Sequence, residues 1–164
     1  MLKVETMYIL DFEIADVSLD ISLHDIEKQD ILKDHIAKNP EVYYGYLYLE
    51  FNNEVILDRG YYNSLDVYWD YFLNYCIYEV IENGYISHFI SGESEPYTLV
   101  LTENTVDFTI RDKTYHLPRY EFLKTLLEEA EKFYRLHDLV TSVKDDTVPY
   151  VLINELLTKI EHFK

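Results

Sequence analysis

One stretch of this chain, Gly60–Gly84, restricts the possible folds more than any other. It contains six tyrosines, a phenylalanine and the only tryptophan and cysteine of the sequence, but no lysine or arginine. Its apolar residues recur at helical spacing as Leu65, Trp69, Phe72, Cys76 and Val80. A helix with so wide an apolar face must be covered on most of its sides. We therefore predict a largely buried helix that ends at Gly84 and forms the spine of the core.

The polar residues of this helix predict an acidic edge. They are Asp66, Asp70, Asn74 and Glu82, which are spaced by four residues or a multiple of four. At this spacing the edge turns slowly around the helix. We expect it to be exposed beside the buried stripe.

The wider region around the helix is strongly acidic. Residues 39–110 contain twelve acidic residues against one basic residue, Arg59, and so carry −11 of the chain's net charge of −17. Because like charges repel one another and destabilise a fold, this concentration favours a cationic binding partner. The alternative is a solvated acidic face that binds no ligand.

Alternating apolar and polar residues predict strands near the N-terminus. Residues 6–14 alternate in one phase and residues 17–23 in the opposite phase, and the phase changes at Ala15-Asp16. A period of two cannot shift without a bulge or a bend. We therefore expect either one long bulged strand or two short strands.

A hairpin and a meander account for the other predicted strands. Residues 43–51 and 54–57 predict the hairpin, which turns at Asn52-Asn53 because asparagine tolerates positive φ. Four further short segments predict a meander of antiparallel strands. These segments are residues 85–91, 97–103, 105–111 and 114–117.

Three further helices are predicted besides the aromatic one. The apolar residues of 25–38 have helical spacing, and this first helix is expected to end at Asn39-Pro40. Pro118 is expected to begin a second helix, and Thr147 to cap a third. The expected fold is therefore α+β, a mainly antiparallel sheet of short strands with three to four helices packed on it. The 164 residues fit a single domain, residues 1–164.

The negative charge also restricts the partners. An acidic surface repels phosphate backbones and anionic membranes, so we expect no direct nucleic-acid or membrane binding and a basic protein as partner. A single cysteine excludes an internal disulfide and fits a reducing compartment. Because the sequence contains neither a signal peptide nor a membrane-spanning run, we expect a cytoplasmic protein. A homodimer is left open.

No motif in the sequence predicts an enzyme. The six histidines do not occur at metal-binding spacings, and no glycine-rich phosphate loop is present. Cys76 falls on the apolar stripe of the helix, where a thiol packs as a small hydrophobe. His88 and His116 fall in predicted strands, where we expect surface or hydrogen-bonded side chains. We therefore expect no catalytic residue, no cofactor and no metal.

Tyrosines are interleaved with the acidic residues throughout this region. Such a surface suits an interface with a basic protein, in which rings provide contact area and carboxylates attract cationic side chains. The candidate partner-binding residues are Tyr62, Asp66, Asp70, Glu82, Glu93, Glu95 and Tyr97. The alternative is that most of these rings are buried.

Four runs of sequence, taken in order, resemble a known family. They are YLYLEFNNEVIL (46–57), WDYFLN (69–74), ESEPYTLVL (93–101) and YHLPRYEFLKTLLEEA (115–130). Over residues 43–134 the chain resembles the small acidic immunity proteins encoded beside bacterial polymorphic or contact-dependent toxins. The resemblance implies that the protein binds a cognate toxin domain, often a basic nuclease, and blocks its active site or substrate groove. It implies no catalytic residues.

Two other functions fit the same sequence. A nucleic-acid mimic that inhibits a DNA- or RNA-binding protein would have carboxylates spaced like phosphates along a long face. An uncharacterised enzyme with a dispersed acidic site would have a deep pocket in which carboxylates with perturbed pKa values converge.

Overall fold

Two antiparallel sheets and the helices packed against them make up the fold. The computed structural model describes residues 1–39, 43–89, 96–141 and 148–164. The elements in these ranges confirm the predicted α+β class. The strands are divided between two sheets rather than joined in one.

The first sheet is built from the N-terminal half of the chain. Its strands are β1 (Leu2–Tyr8), β2 (Ile21–Ser22), β3 (Tyr44–Phe51), β4 (Glu54–Leu57) and β5 (Asn63–Ser64). They lie in the order β2-β1-β3-β4, and β5 also pairs with β3. The predicted hairpin is confirmed, because Asn52 and Asn53 have φ values of 52° and 66° in the turn between β3 and β4.

The strand prediction near the N-terminus is correct only in part. Two short strands form, β1 and β2, but residues 9–20 leave the sheet although their apolar residues alternate. The reason lies in the partner strand. Because β3 begins at Tyr44, the N–H of Ile9 is the last in this segment to donate to it, at 3.0 Å from Tyr44 O. An alternating pattern forms a strand only where a partner supplies hydrogen bonds.

The helices fall close to their predicted positions within the described ranges. They are α1 (Gln29–Lys38), α2 (Leu65–Tyr71), a π-helical segment (Phe72–Ile77), α3 (Tyr78–Asn83), α4 (Arg119–Thr141) and α5 (Val148–Ile160). The consecutive elements α2, π-helical segment and α3 form the predicted aromatic helix. It ends at Gly84, whose φ of 77° is left-handed, as expected. The π-helical segment was not predicted, and the predicted cap Thr147 lies outside the described residues.

The second sheet is the predicted meander. Its strands β6 (Tyr85–Phe89), β7 (Pro96–Leu101), β8 (Thr105–Ile110) and β9 (Lys113–Pro118) are neighbours in that order. Alternate residues of β8, namely Val106, Phe108 and Ile110, are buried. This sheet therefore presents one face to the core.

The aromatic helix lies between the two sheets. One cluster of buried residues contains members of both sheets and of the helices. Within it, α2 packs on β3, and α3 packs on β6 and β7. Trp69 and Cys76 are fully buried, as predicted for the spine of the core. The ring of Trp69 lies 6.2 Å from that of Phe133 in α4, so the helix also contacts α4.

Gly45 allows α2 to approach the first sheet. A Cβ atom at this position would lie 2.0 Å from Met7 O and 2.6 Å from Leu65 Cδ1. Since no side chain fits in that space, glycine permits the close contact between β3 and the first turn of α2.

Candidate functional site

Asp66 and Asp70 lie one turn apart on α2, at the surface. The Ser64 hydroxyl donates a hydrogen bond to Asp66, and the Asn74 amide donates to Asp70 Oδ1 at 2.8 Å. In the described part of the chain no basic side chain forms an ion pair with either carboxylate. These two charges are therefore not neutralised by any of the described residues.

Glu82 is separated from these two carboxylates. It lies twelve residues after Asp70, which corresponds to about 18 Å along a helix. Its carboxylate forms an ion pair with Lys159 and thereby ties α3 to α5. The structure does not bring Glu82 together with Asp66 and Asp70 in one site.

Tyr62 lies in an exposed cluster of aromatic side chains. It is 49% exposed, and its ring lies 5.3 Å from that of Phe12. The Phe12 ring in turn packs edge-on against Tyr44 at 4.5 Å. We call Phe12, Tyr44 and Tyr62 the aromatic cluster. Tyr62 thus occupies a surface position that a partner can reach.

The prediction that Tyr97 is a surface contact for a partner is wrong. It is only 1% exposed, because the alternation of β7 turns Tyr97 and Leu99 towards the core. Its hydroxyl lies 2.5 Å from the Cys76 sulfur. Glu93 and Glu95, the two other candidates from the acidic turn, lie outside the described residues.

A pocket of about 310 Å³ opens between the aromatic helix and β6. We call it the aromatic pocket. Its floor is formed by buried side chains and its rim by exposed ones. The floor residues are Tyr68, Phe72 and Tyr97, the rim residues are Val67 and Phe89, and Asn63, Tyr71 and His88 complete the lining.

The polar groups around the pocket floor are uncharged at neutral pH. Burial raises the pKa of the Cys76 thiol to about 12 and the pKa of the Tyr71 hydroxyl to about 12. Burial, and then the nearby Cys76, also raise the pKa values of Tyr68 and Tyr97. A protonated thiol is a poor nucleophile, which agrees with the predicted packing role of Cys76.

Two hydroxyl groups beside the pocket are themselves fully buried, so that a molecule in the pocket does not reach them, and they lack a hydrogen-bond partner among the described residues. They belong to Tyr68 and Tyr71. Buried hydroxyl groups are normally paired, so unpaired ones call for an explanation. His88, by contrast, is hydrogen-bonded as predicted, since its Nδ1 accepts the Phe89 N–H at 2.7 Å. His116 Nδ1 likewise lies 2.8 Å from Asp107 Oδ1.

Arg59 is engaged within the protein. Its Nε lies 3.5 Å from Asp20 Oδ2, and its Nη2 donates to Asp11 O at 3.1 Å. Asp20 is buried and also accepts a hydrogen bond from the Tyr46 hydroxyl at 3.1 Å. The one basic residue of the acidic region therefore does not neutralise Asp66 or Asp70.

A second polar centre, which was not predicted from the sequence, surrounds Glu129 of α4. This side chain is 1% exposed, and its Oε1 accepts the Thr6 N–H at 2.6 Å. Its Oε2 lies 2.6 Å from His24 Nε2. A signal was present, because Glu129 follows Leu126 by three residues and precedes Phe133 by four, which places it on the buried face.

Two structural tests and three comparisons add no further assignment. The described residues contain no cluster of histidine, cysteine, aspartate or glutamate arranged to hold a metal. None of the helices described is long and apolar enough to cross a membrane. Comparisons with protein-family models, curated proteins and solved structures found no match for this chain.

Proposed function

We propose that this protein binds a basic protein partner and inhibits it, as a toxin-neutralising immunity protein acts on its cognate toxin domain. The observation that carries the proposal is the unneutralised charge of α2. Residues 39–110 have one basic residue, and that residue, Arg59, is held by Asp20. Asp66 and Asp70 are left to attract cationic groups from outside the chain.

The aromatic cluster supplies the second component of such an interface. Tyr44 pairs with Ser64 across β3 and β5, so the cluster lies beside the first turn of α2 and near Asp66. Exposed tyrosine and phenylalanine rings are frequent anchors in protein interfaces, and neighbouring carboxylates steer and bind basic side chains. The cluster and the carboxylates together suit a basic partner.

Ion pairs at three of the seven other described carboxylates of residues 39–110 favour this function over nucleic-acid mimicry. Glu54, Glu82 and Asp107 are paired with Lys113, Lys159 and His116. A mimic needs a long row of free carboxylates. Among the described residues of the acidic region, these three pairs reduce the number of free carboxylates that such a row could use.

The partner can be sought beside the gene for this chain. A large secreted protein with a variable C-terminal domain encoded there would be the candidate toxin. We expect the chain to bind that domain and to restore the growth of cells that express it. Failure both to bind and to restore growth would contradict the proposed function.

Charge reversal tests the proposed face with a matched control. The variant Asp66→Lys/Asp70→Lys should slow association with the toxin domain about tenfold at low salt and reduce its salt dependence. Asp30 and Asp34 of α1 have the same spacing and are exposed, so Asp30→Lys/Asp34→Lys changes the net charge equally at another place. Equal association rates for the two variants would exclude α2 from the interface.

A further inference from the structure

We propose that the aromatic pocket receives a large apolar side chain of the basic partner, such as a phenylalanine, and that an arginine or lysine beside it pairs with Asp70. The pocket then forms a second contact of the interface, in addition to the aromatic cluster. This assignment rests on the proposed function, because both contacts are made by the same basic protein.

The accessible wall of the pocket is apolar. The hydroxyl groups of Tyr68 and Tyr71 are fully buried and are not reached from the opening. The side-chain oxygen of Asn63 and Nδ1 of His88 already accept the backbone N–H groups of the residues that follow them, at 2.8 and 2.7 Å. An entering group therefore meets mainly ring and aliphatic carbon. Such a wall favours an apolar side chain over a polar or charged one.

The size of the pocket fits one large side chain. An apolar cavity of about 150 Å³ is large enough to bind benzene. The aromatic pocket measures about 310 Å³, so a phenylalanine ring fits inside it. The exposed side chains of Val67 and Phe89 at the rim lose contact with water when the ring enters. Anchoring side chains that fill pockets supply much of the affinity of protein interfaces.

Asp70 lies in the same helical stripe as the rim of the pocket. It follows Val67 by three residues and precedes Tyr71 by one, and residues three or four apart are neighbours on a helix surface. Asp70 is exposed, and among the described residues no basic side chain pairs with it. A free carboxylate beside an apolar pocket favours an occupant that has a cationic neighbour.

The same charge argues against a second copy of this chain as the occupant. Each copy has a net charge of −17, so two copies repel each other. A self-association through this face would also bring the free carboxylates of α2 close to a second acidic surface. A basic partner gains from the charge that a second copy would have to overcome.

Titration of the purified full-length chain with blocked pentapeptides, followed by NMR, tests the chemistry of the occupant. We expect Gly-Arg-Phe-Arg-Gly to bind about tenfold more tightly than Gly-Arg-Ala-Arg-Gly, which lacks the ring. We expect it to bind about fivefold more tightly than Gly-Gln-Phe-Gln-Gly, which lacks the charges. Equal binding of the first peptide and either of the others would overturn the proposal, as would an absence of saturation.

A pair of charge variants tests the role of Asp70. Asp70→Asn should remove most of the preference for the arginine peptide over the glutamine peptide. Asp30→Asn, which removes another exposed carboxylate on α1, should leave this preference unchanged. An equal loss of preference in the two variants would assign it to the net charge of the chain and overturn the proposal.

Substitutions at the rim locate the binding. Phe89→Ala should weaken the binding of Gly-Arg-Phe-Arg-Gly about fivefold, and Val67→Trp should abolish it by filling the mouth of the pocket. The control is Tyr85→Ala, which should leave binding unchanged. Phe89 and Tyr85 are 51% and 54% exposed on the same strand, but Tyr85 does not line the pocket. Binding that survives both rim substitutions would overturn the proposal.

The candidate toxin domain separates this assignment from the proposed function. If the domain binds wild type and Val67→Trp equally well, the pocket lies outside the interface although the proposed function stands. A domain that does not bind the wild-type chain contradicts the proposed function itself. A wild-type dimer that Val67→Trp converts into monomers, as measured by light scattering, would assign the pocket to a second copy and overturn the proposal.

Discussion

Replacing Glu129 by alanine should destabilise the protein more than any exposed acidic substitution on α4. The carboxylate is buried and lies 2.6 Å from both Thr6 N and His24 Nε2. Thr6 belongs to β1, so this side chain joins α4 to the first sheet. Its removal leaves a buried backbone N–H without an acceptor, since the short strand β2 pairs only with Met7 and Tyr8.

The expected magnitude follows from these contacts. An unpaired buried N–H costs about 1–3 kcal/mol. Loss of the contact with His24 adds about 1 kcal/mol, because the imidazole is partly exposed and water can replace the carboxylate. Glu129→Ala should therefore lower the free energy of unfolding by about 2–4 kcal/mol. Glu129→Gln, whose amide oxygen still accepts the Thr6 N–H, should lower it by about 1–2 kcal/mol.

Urea unfolding measures these differences, and Trp69 provides the signal. It is the only tryptophan and is fully buried, so its fluorescence changes on unfolding. The control is Glu128→Ala, because Glu128 is adjacent in sequence but forms an exposed pair with Lys124 at 3.5 Å. Such a pair contributes less than about 1 kcal/mol. If Glu129→Ala and Glu128→Ala unfold within about 1 kcal/mol of each other, Glu129 does not hold β1 to α4.

Two further predictions concern the interior of the fold. Gly45→Ala should lower the free energy of unfolding in urea by more than about 2 kcal/mol, because the new Cβ would collide with Met7 O and Leu65. The control is Gly60→Ala, whose Cβ would meet only Asp58 Oδ1 at 3.1 Å. Equal stability of the two variants would contradict the close approach at Gly45. Since burial raises the pKa of Cys76 to about 12, the thiol of the folded protein should resist iodoacetamide at pH 8 and should react once the protein is unfolded in urea. Mass spectrometry measures the labelling. Rapid labelling of the folded protein would refute the prediction that the Cys76 thiol is buried and protonated.

Local patterns in the sequence were sufficient to predict most of the elements. The hairpin depends on a turn that only a few residue types make, and Asn52-Asn53 has that chemistry. Gly84 likewise ends the aromatic helix because its backbone is left-handed, a conformation that glycine adopts readily. The fold class follows once these elements are combined with the alternation of the meander.

Features that depend on distant partners could not be predicted in this way. Residues 9–20 alternate like a strand, but β3 begins at Tyr44 and offers them no further edge. Tyr97 was taken for a surface contact because tyrosine suits both interfaces and cores. Only its position on the inner face of β7, beside Leu99, distinguishes the two environments.

The candidate site also combines features that local patterns predict with features that depend on distant parts of the chain. The positions of Asp66 and Asp70 at the surface follow from local spacing, and in the structure Asp66 is half-buried and Asp70 exposed. The exposure of Tyr62 does not follow from spacing, because the sequence left open whether its ring is buried. The aromatic pocket was not predicted, because its walls come from α2 and β6, which are about twenty residues apart in sequence. No periodicity indicates that Val67 and Phe89 will face each other across a cavity.

The location of the basic side chains explains why the surface of α2 stays acidic. Lys113 and Lys159 pair with Glu54 and Glu82, and Arg59 pairs with the buried Asp20. Through Asp11 and Asp20, Arg59 also holds the segment that carries Phe12, which lacks strand pairing of its own. The contacts of Arg59 with Asp20 and Asp11 therefore occupy the one cation of the acidic region and hold the segment that brings Phe12 to the aromatic cluster. An interface for a basic partner needs both results, free carboxylates and a fixed aromatic anchor beside them.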